Sequence, residues 1–158
     1  LTGDPVGILA MLEQAGPAQW LRFSRWGYAA VNTGHVLGIA TLFGAVLALD
    51  LRLLGLARGL PLAPLARLLV PVAGFGLALA MATGLFLFLS QAQAYARLEL
   101  FWVKMALVLA GTVLALGLTL RGPLDNLSAG GARLAGGASL SCWLAALVCG
   151  RMLAFVGD

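Results

Sequence analysis

Charge is scarce in this chain. Only 10% of its 158 residues are Asp, Glu, Lys or Arg, against 61% that are hydrophobic. A soluble domain carries about 25% charged residues, so this composition excludes an ordinary water-soluble fold. The mean hydropathy of +0.99 says the same, and a single membrane domain over residues 1–158 is the reading. Acids are the rarer sign, 6 against 10 basic residues. So few carboxylates, most of them in loops, argue against a proton-driven transporter. The basic residues stand singly, with no stripe to track phosphates, which excludes nucleic acid as a partner. Histidine is rarer still, with His35 alone. The two cysteines, Cys142 and Cys149, lie seven apart in one apolar run. A helix separates them by about 10 Å, too far for a disulfide. No nucleophile–base pair, phosphate loop or paired carboxylates can be picked out, so a non-enzymatic protein is expected. The N-terminal "LTGDPVGILA" lacks a basic n-region, and no secretory signal is read there.

Long uncharged runs are what the chain does have. A spanning helix needs about 20 mostly apolar residues. Four such spans are predicted, at about 27–49, 68–90, 100–120 and 136–156. Short connections make neighbouring spans antiparallel, giving an all-α four-transmembrane-helix bundle. Residues 5–25 mix apolar residues with Glu13, Arg22 and Arg25. They predict a short amphipathic helix on the membrane surface, closed by a break at Gly16-Pro17. Trp20 and Trp26 suit an interfacial belt. "GPLDNLSAGGARLAGGAS" reads as a mobile loop. Arg52, Arg58, Arg67, Arg121 and Arg133 fall on one side, and Arg22, Arg25 and Arg97 on the other. That bias places both termini outside the cytoplasm.

The stretch "NTGHVLG" raises the sharpest question, because it sets an imidazole in a lipid-bound helix. With alternating spans, His35, Asn32, Thr83, Lys104 and Arg151 all fall in the outer leaflet. Intramembrane ionisable groups are rare and usually functional. They define a candidate polar pocket that binds a cofactor or other guest. Asn32 and His35 share a face at i, i+3, and Gly38 leaves room beside the ring. Gly34, Gly38, Thr41, Ala45 and Ala48 form a small-residue packing seam. The bland alternatives are a structural histidine, snorkelling of Lys104 and Arg151 to headgroups, and interhelical bonding by Asn32 and Thr83.

"VNTGHVLGIATLFGAVLALDLRLLGLARGLPL" resembles the first half of a bacterial family of small, uncharacterised four-helix integral membrane proteins. The likeness continues through Thr83–Phe88 ("TGLFLF"), Phe101–Met105 (F-x-x-K-M) and Gly150–Phe155 (GR-x-x-A-aromatic). It implies a four-helix fold in the bacterial inner membrane and no settled activity. The family's first-helix motif is acid-x-x-His-x-x-Gly. Asn32 stands at the acid position here, so an acid–histidine relay is not expected. The His-x-x-Gly helix is also distantly similar to membrane domains of copper resistance D-type proteins.

Three roles compete. In the first, the bundle is an accessory or anchor subunit, in contact with the lipid bilayer and with other membrane subunits or copies of itself. In the second, copper is held by His35 with soft ligands from Met81, Met105, Cys149 and Met152. Cys149 and Arg151 lie about 200° apart on a helix, so both cannot face inward. Arginine pays more for lipid exposure, which favours Arg151 inward. In the third, His35 serves haem b or a quinone, with Lys104 and Arg151 pairing with propionates. Bis-histidine ligation within one chain is excluded, because only one histidine is present.

Overall fold

The computed structural model describes residues 5–120 and 127–156. All regular structure among them is helical: α1 (Pro5–Glu13), α2 (Gly16–Phe23), α3 (Arg25–Leu54), α4 (Leu62–Ser90), α5 (Ala92–Ala96), α6 (Glu99–Leu120) and α7 (Ala129–Val156). Four of these, α3, α4, α6 and α7, are long and apolar enough to cross a membrane. The four-helix bundle expected from the uncharged runs is therefore present, and the fold is compatible with a multi-pass integral membrane protein.

Local chemistry sets the helix ends. Ser24 caps α3 by accepting from the Gly27 amide at 3.0 Å. At the other end Gly55 takes a left-handed φ of 106°. The Leu56 amide then reaches Leu51 O at 3.0 Å, satisfying carbonyls that the helix leaves open. Arg52 Nε donates to Leu60 O at 2.8 Å and Arg58 Nε to Gly55 O at 3.0 Å, so both loop arginines hold the short α3–α4 turn.

The spans are longer than their uncharged cores. α3 runs through Asp50 to Leu54, and α4 begins at Leu62, so Arg67 lies inside a helix. The Gly-Ser-rich segment is the larger correction. α7 starts at Ala129, within the predicted mobile loop, whose residues 122–126 lie outside the described residues. Ser128 accepts from the Gly131 amide at 3.1 Å and starts the helix. Gly136 lets α7 press onto α3, since a Cβ there would lie 2.8 Å from Leu53 Cβ. Gly136 thus serves close packing, while Gly130 has open space around it. The amphipathic N-terminal segment is two helices instead of one, because a proline in the first turn suits a helix start as well as a break.

α3 and α7 form the central pair. A third of the apolar window of α3 is buried (33%), and 22% of that of α7, against 11% for α4 and 6% for α6. α3 packs on α4 along small residues. A Cβ on Gly38 would sit 2.6 Å from the Ala80 backbone nitrogen, and one on Gly76 would run into the Leu42 backbone. The expected seam holds at Gly34, Gly38 and Ala45, while Ala48 is exposed. Leu42, Val46 and Trp143 make one buried cluster and Leu49, Leu53 and Leu62 another. At the opposite end, Phe88 stacks on Phe101 with ring centroids 5.2 Å apart, tying the exit of α4 to the entry of α6. α1, α2 and α5 cover that same end. Glu13 accepts from the Gln93 backbone amide at 2.9 Å and from its side-chain amide at 3.0 Å.

Candidate functional site

His35 sits one turn from Gly38 on the α3–α4 seam. Its Nδ1 lies 2.9 Å from Ala80 O and 3.2 Å from Thr83 Oγ1. A carbonyl only accepts, so Nδ1 carries the proton and donates. Thr83 Oγ1 spends its own proton on Leu79 O at 2.6 Å. The bare backbone of Gly84 makes room for the ring, because a Cβ there would be 2.9 Å from His35 Cε1. The TG of "TGLFLF" thus supplies a polar contact and a notch for the imidazole. Nε2 has no hydrogen-bond partner among the described residues.

The other expected pocket residues divide. Lys104, on α6, lies half-buried against α7, where a Cβ on Gly150 would be 3.3 Å from Lys104 Cε. Lys104 therefore meets α7 at Gly150, the residue after Cys149. Asn32, one turn before His35 on α3, is exposed. Arg151 is exposed as well, with its guanidinium 4.9 Å from the Phe155 ring centroid. This reverses the expected inward arginine. The Gly150 notch admits the Lys104 stem, and Arg151 near the end of α7 gains a cation–π contact instead. Cys149, on the other side of α7, is half-buried. Of the proposed soft ligands, Met81 is 48% and Met152 46% exposed, while Met105 is half-buried. Among the described residues no three of His, Cys, Asp and Glu come together as a metal-holding group.

A second polar cluster lies toward the opposite end and was not singled out from the sequence. Asp50 on α3 is 3% exposed, and Trp143 on α7 is 6% exposed. Asp50 Oδ2 and Trp143 Nε1 are both buried without a hydrogen-bond partner. Buried polar atoms are nearly always paired, so both are exceptions; Trp143 Nε1 packs toward Gly111 of α6, where a Cβ would be 3.1 Å from it. Both residues line a cavity of about 160 Å³ that touches all four long helices. The Ser139 hydroxyl stands beside the carboxylate, and Thr112 and Thr119 of α6 face the same space. In the sequence Asp50 simply follows the first predicted span, 27–49. The available signal was its place one turn inside the continuing helical pattern, opposite the Gly136/Ser139 face of α7.

Outside the spans, Glu13, Arg22, Gln93 and Arg97 border an open groove of about 430 Å³ between the short N-terminal helices and α5. It is the polar surface of the helical cover. No family model, curated protein or solved structure matches the chain.

Proposed function

We propose that the protein is a non-enzymatic subunit of the bacterial inner membrane that anchors or stabilises a larger membrane complex. Its four helices span the bilayer, with the termini and the cover of α1, α2 and α5 on the periplasmic side. The observation that carries this reading is the cover itself. Glu13 ties α1 to Gln93 with two hydrogen bonds, which holds a structured polar groove above an otherwise apolar bundle. A fixed extramembrane surface suits recognition of a partner's extramembrane part. The polar groups of the α3–α4 seam support the same reading, since His35 and Thr83 bond to backbone carbonyls across or along the packed helices. The charge bias of the loops supports the orientation, and the motif likeness supports the bacterial family. The test is native mass spectrometry of the mildly extracted, tagged chain beside the variant Glu13→Ala/Arg22→Ala. A stoichiometric complex that the double variant loses is the expected result. A wild-type chain that is monomeric both in detergent and in native nanodiscs contradicts the role.

One observation favours a second reading, cofactor binding at His35. With Nδ1 donating to Ala80 O, the ring is oriented as in metal-ligating histidines, whose far nitrogen carries the free lone pair. A haem b or copper ion would take Nε2, and a quinone would donate nothing to it and accept from Lys104. An absorption spectrum and metal analysis of the purified protein separate these from the anchor role. A Soret band or stoichiometric copper, lost in His35→Ala, establishes the cofactor reading.

A further inference from the structure

The end of the bundle that carries α1, α2 and α5 gathers the amphipathic aromatics. Of four tryptophans and two tyrosines, Trp143 alone is buried inside the bundle. Trp20 is on α2, Trp26 and Tyr28 at the start of α3, Tyr95 on α5 and Trp102 at the start of α6. Such a girdle marks the level of the lipid headgroups. Phe23 is 87% and Trp26 85% exposed. Phe23 lies about 200° around α2 from Leu21 at 100° per residue, and Leu21 is buried. A phenyl ring so exposed suits the membrane interface, which sets the neighbouring Arg22 at headgroup depth. Arg22 and Arg97 border the groove of about 430 Å³, within the range of about 300–1,000 Å³ typical of small-ligand sites. The one acid of that groove is already engaged. Glu13 accepts both bonds from Gln93, and its side chain is 14% exposed. Arg22 Nη1 stands 4.0 Å from Glu13 Oε2, an ion pair beyond hydrogen-bond distance. Arg22 therefore keeps its five N–H donors for a guest. Among the described residues Arg97 has no ion pair. At the opposite end, by contrast, Arg52 and Arg58 spend donors on loop carbonyls.

We propose that this groove binds the headgroup of an anionic phospholipid, with the phosphate oxygens accepting from Arg22 and Arg97. Guanidinium forks match phosphate oxygens two at a time. Gln91 lines the same groove, and its amide is suited to the hydroxyls of a glycerol headgroup. The acyl chains pass into the bilayer beside Phe23. A zwitterionic headgroup brings its own cation toward two arginines, and the shielded Glu13 offers that cation little. A soluble phosphate would meet the same arginines, but the aromatic girdle and the exposed Phe23 set the groove against lipid. The proposal uses the membrane-spanning fold and not the anchor role. That role is read from retention of a partner, and this proposal from retention of a lipid by the chain alone.

The experiment is native mass spectrometry of the full chain in a nonionic detergent. The chain is titrated with dioleoyl phosphatidylglycerol or with dioleoyl phosphatidylcholine, and the lipids retained are counted. One phosphatidylglycerol per chain is expected, bound about tenfold more tightly than the zwitterionic lipid. Arg22→Gln/Arg97→Gln should lose that preference. The charge-matched Arg67→Gln/Arg133→Gln, at exposed sites toward the opposite end, should keep it. Gln91→Glu keeps the proposal testable if the first double variant folds poorly. It retains both arginines, sets a negative charge in the groove, and should weaken phosphatidylglycerol binding. Glycerophosphate separates a lipid from a free phosphate: at the lipid's own concentration it should displace nothing. Absence of the preference in the natural sequence overturns the proposal. So does equal loss in the two double variants, undiminished binding by Gln91→Glu, or displacement by glycerophosphate.

Discussion

His35 shows what a single residue in this chain can and cannot announce. Its rarity and its setting in an apolar run make it visible from sequence. Its partners are not, because Ala80 O belongs to the backbone and no side-chain pattern encodes a carbonyl. The same limit hid Asp50, which looks like a span boundary until α3 is seen to continue past it. Arg151 failed differently: its helical angle relative to Cys149 was legible, but the choice of which one faces inward depended on Gly150 receiving Lys104. The hydrogen bond from His35 to Ala80 O crosses between helices in a setting where such bonds contribute about 0.5–2 kcal/mol. His35→Phe should therefore destabilise the folded bundle by about 1 kcal/mol, read by steric-trapping unfolding in bicelles. Val36→Phe, at a position 57% exposed, should leave it unchanged. Equal stability of the two variants would remove the histidine's structural role.

At the scale of elements, periodicity found the four long helices because length and hydropathy suffice for that. It misjudged their ends. Glycine reads as a loop signal in isolation, yet at Gly136 it is the condition for α7 to touch α3 at Leu53. The α3–α4 seam was legible from its small residues, since close backbone approach in a membrane requires them. Gly38→Leu sets a side chain against the Ala80 backbone, where nothing can yield. A loss of about 1–3 kcal/mol or more is expected. Leu37→Ala, at a site 57% exposed, should cost little. The two unfolding midpoints, measured side by side in detergent, give the comparison, and coincident midpoints would dissolve the seam. The cover predicts a local effect instead. Glu13→Ala removes both bonds to Gln93, so amide exchange should rise across α1 and α5 while α3 and α7 keep their protection. Unchanged exchange in α1 would show that Glu13 does not hold it.

The molecule as a whole joins an apolar four-helix bundle to a polar cover at one end. Composition alone reaches the first half, because so little charge leaves no soluble alternative. The second half needs tertiary contacts, since Glu13 and Gln93 are far apart in sequence and meet only when α4 brings α5 back to the end that carries α1. In the proposed topology the chain crosses the bilayer four times with this cover outside. Single cysteines test it most directly, introduced as Gln93→Cys and Leu127→Cys in a background carrying Cys142→Ser and Cys149→Ser. A membrane-impermeant maleimide is applied to intact spheroplasts. The expected result is labelling at residue 93 before lysis and at residue 127 only after the membrane is opened. Labelling of both residues from outside, or of residue 127 alone, would contradict it.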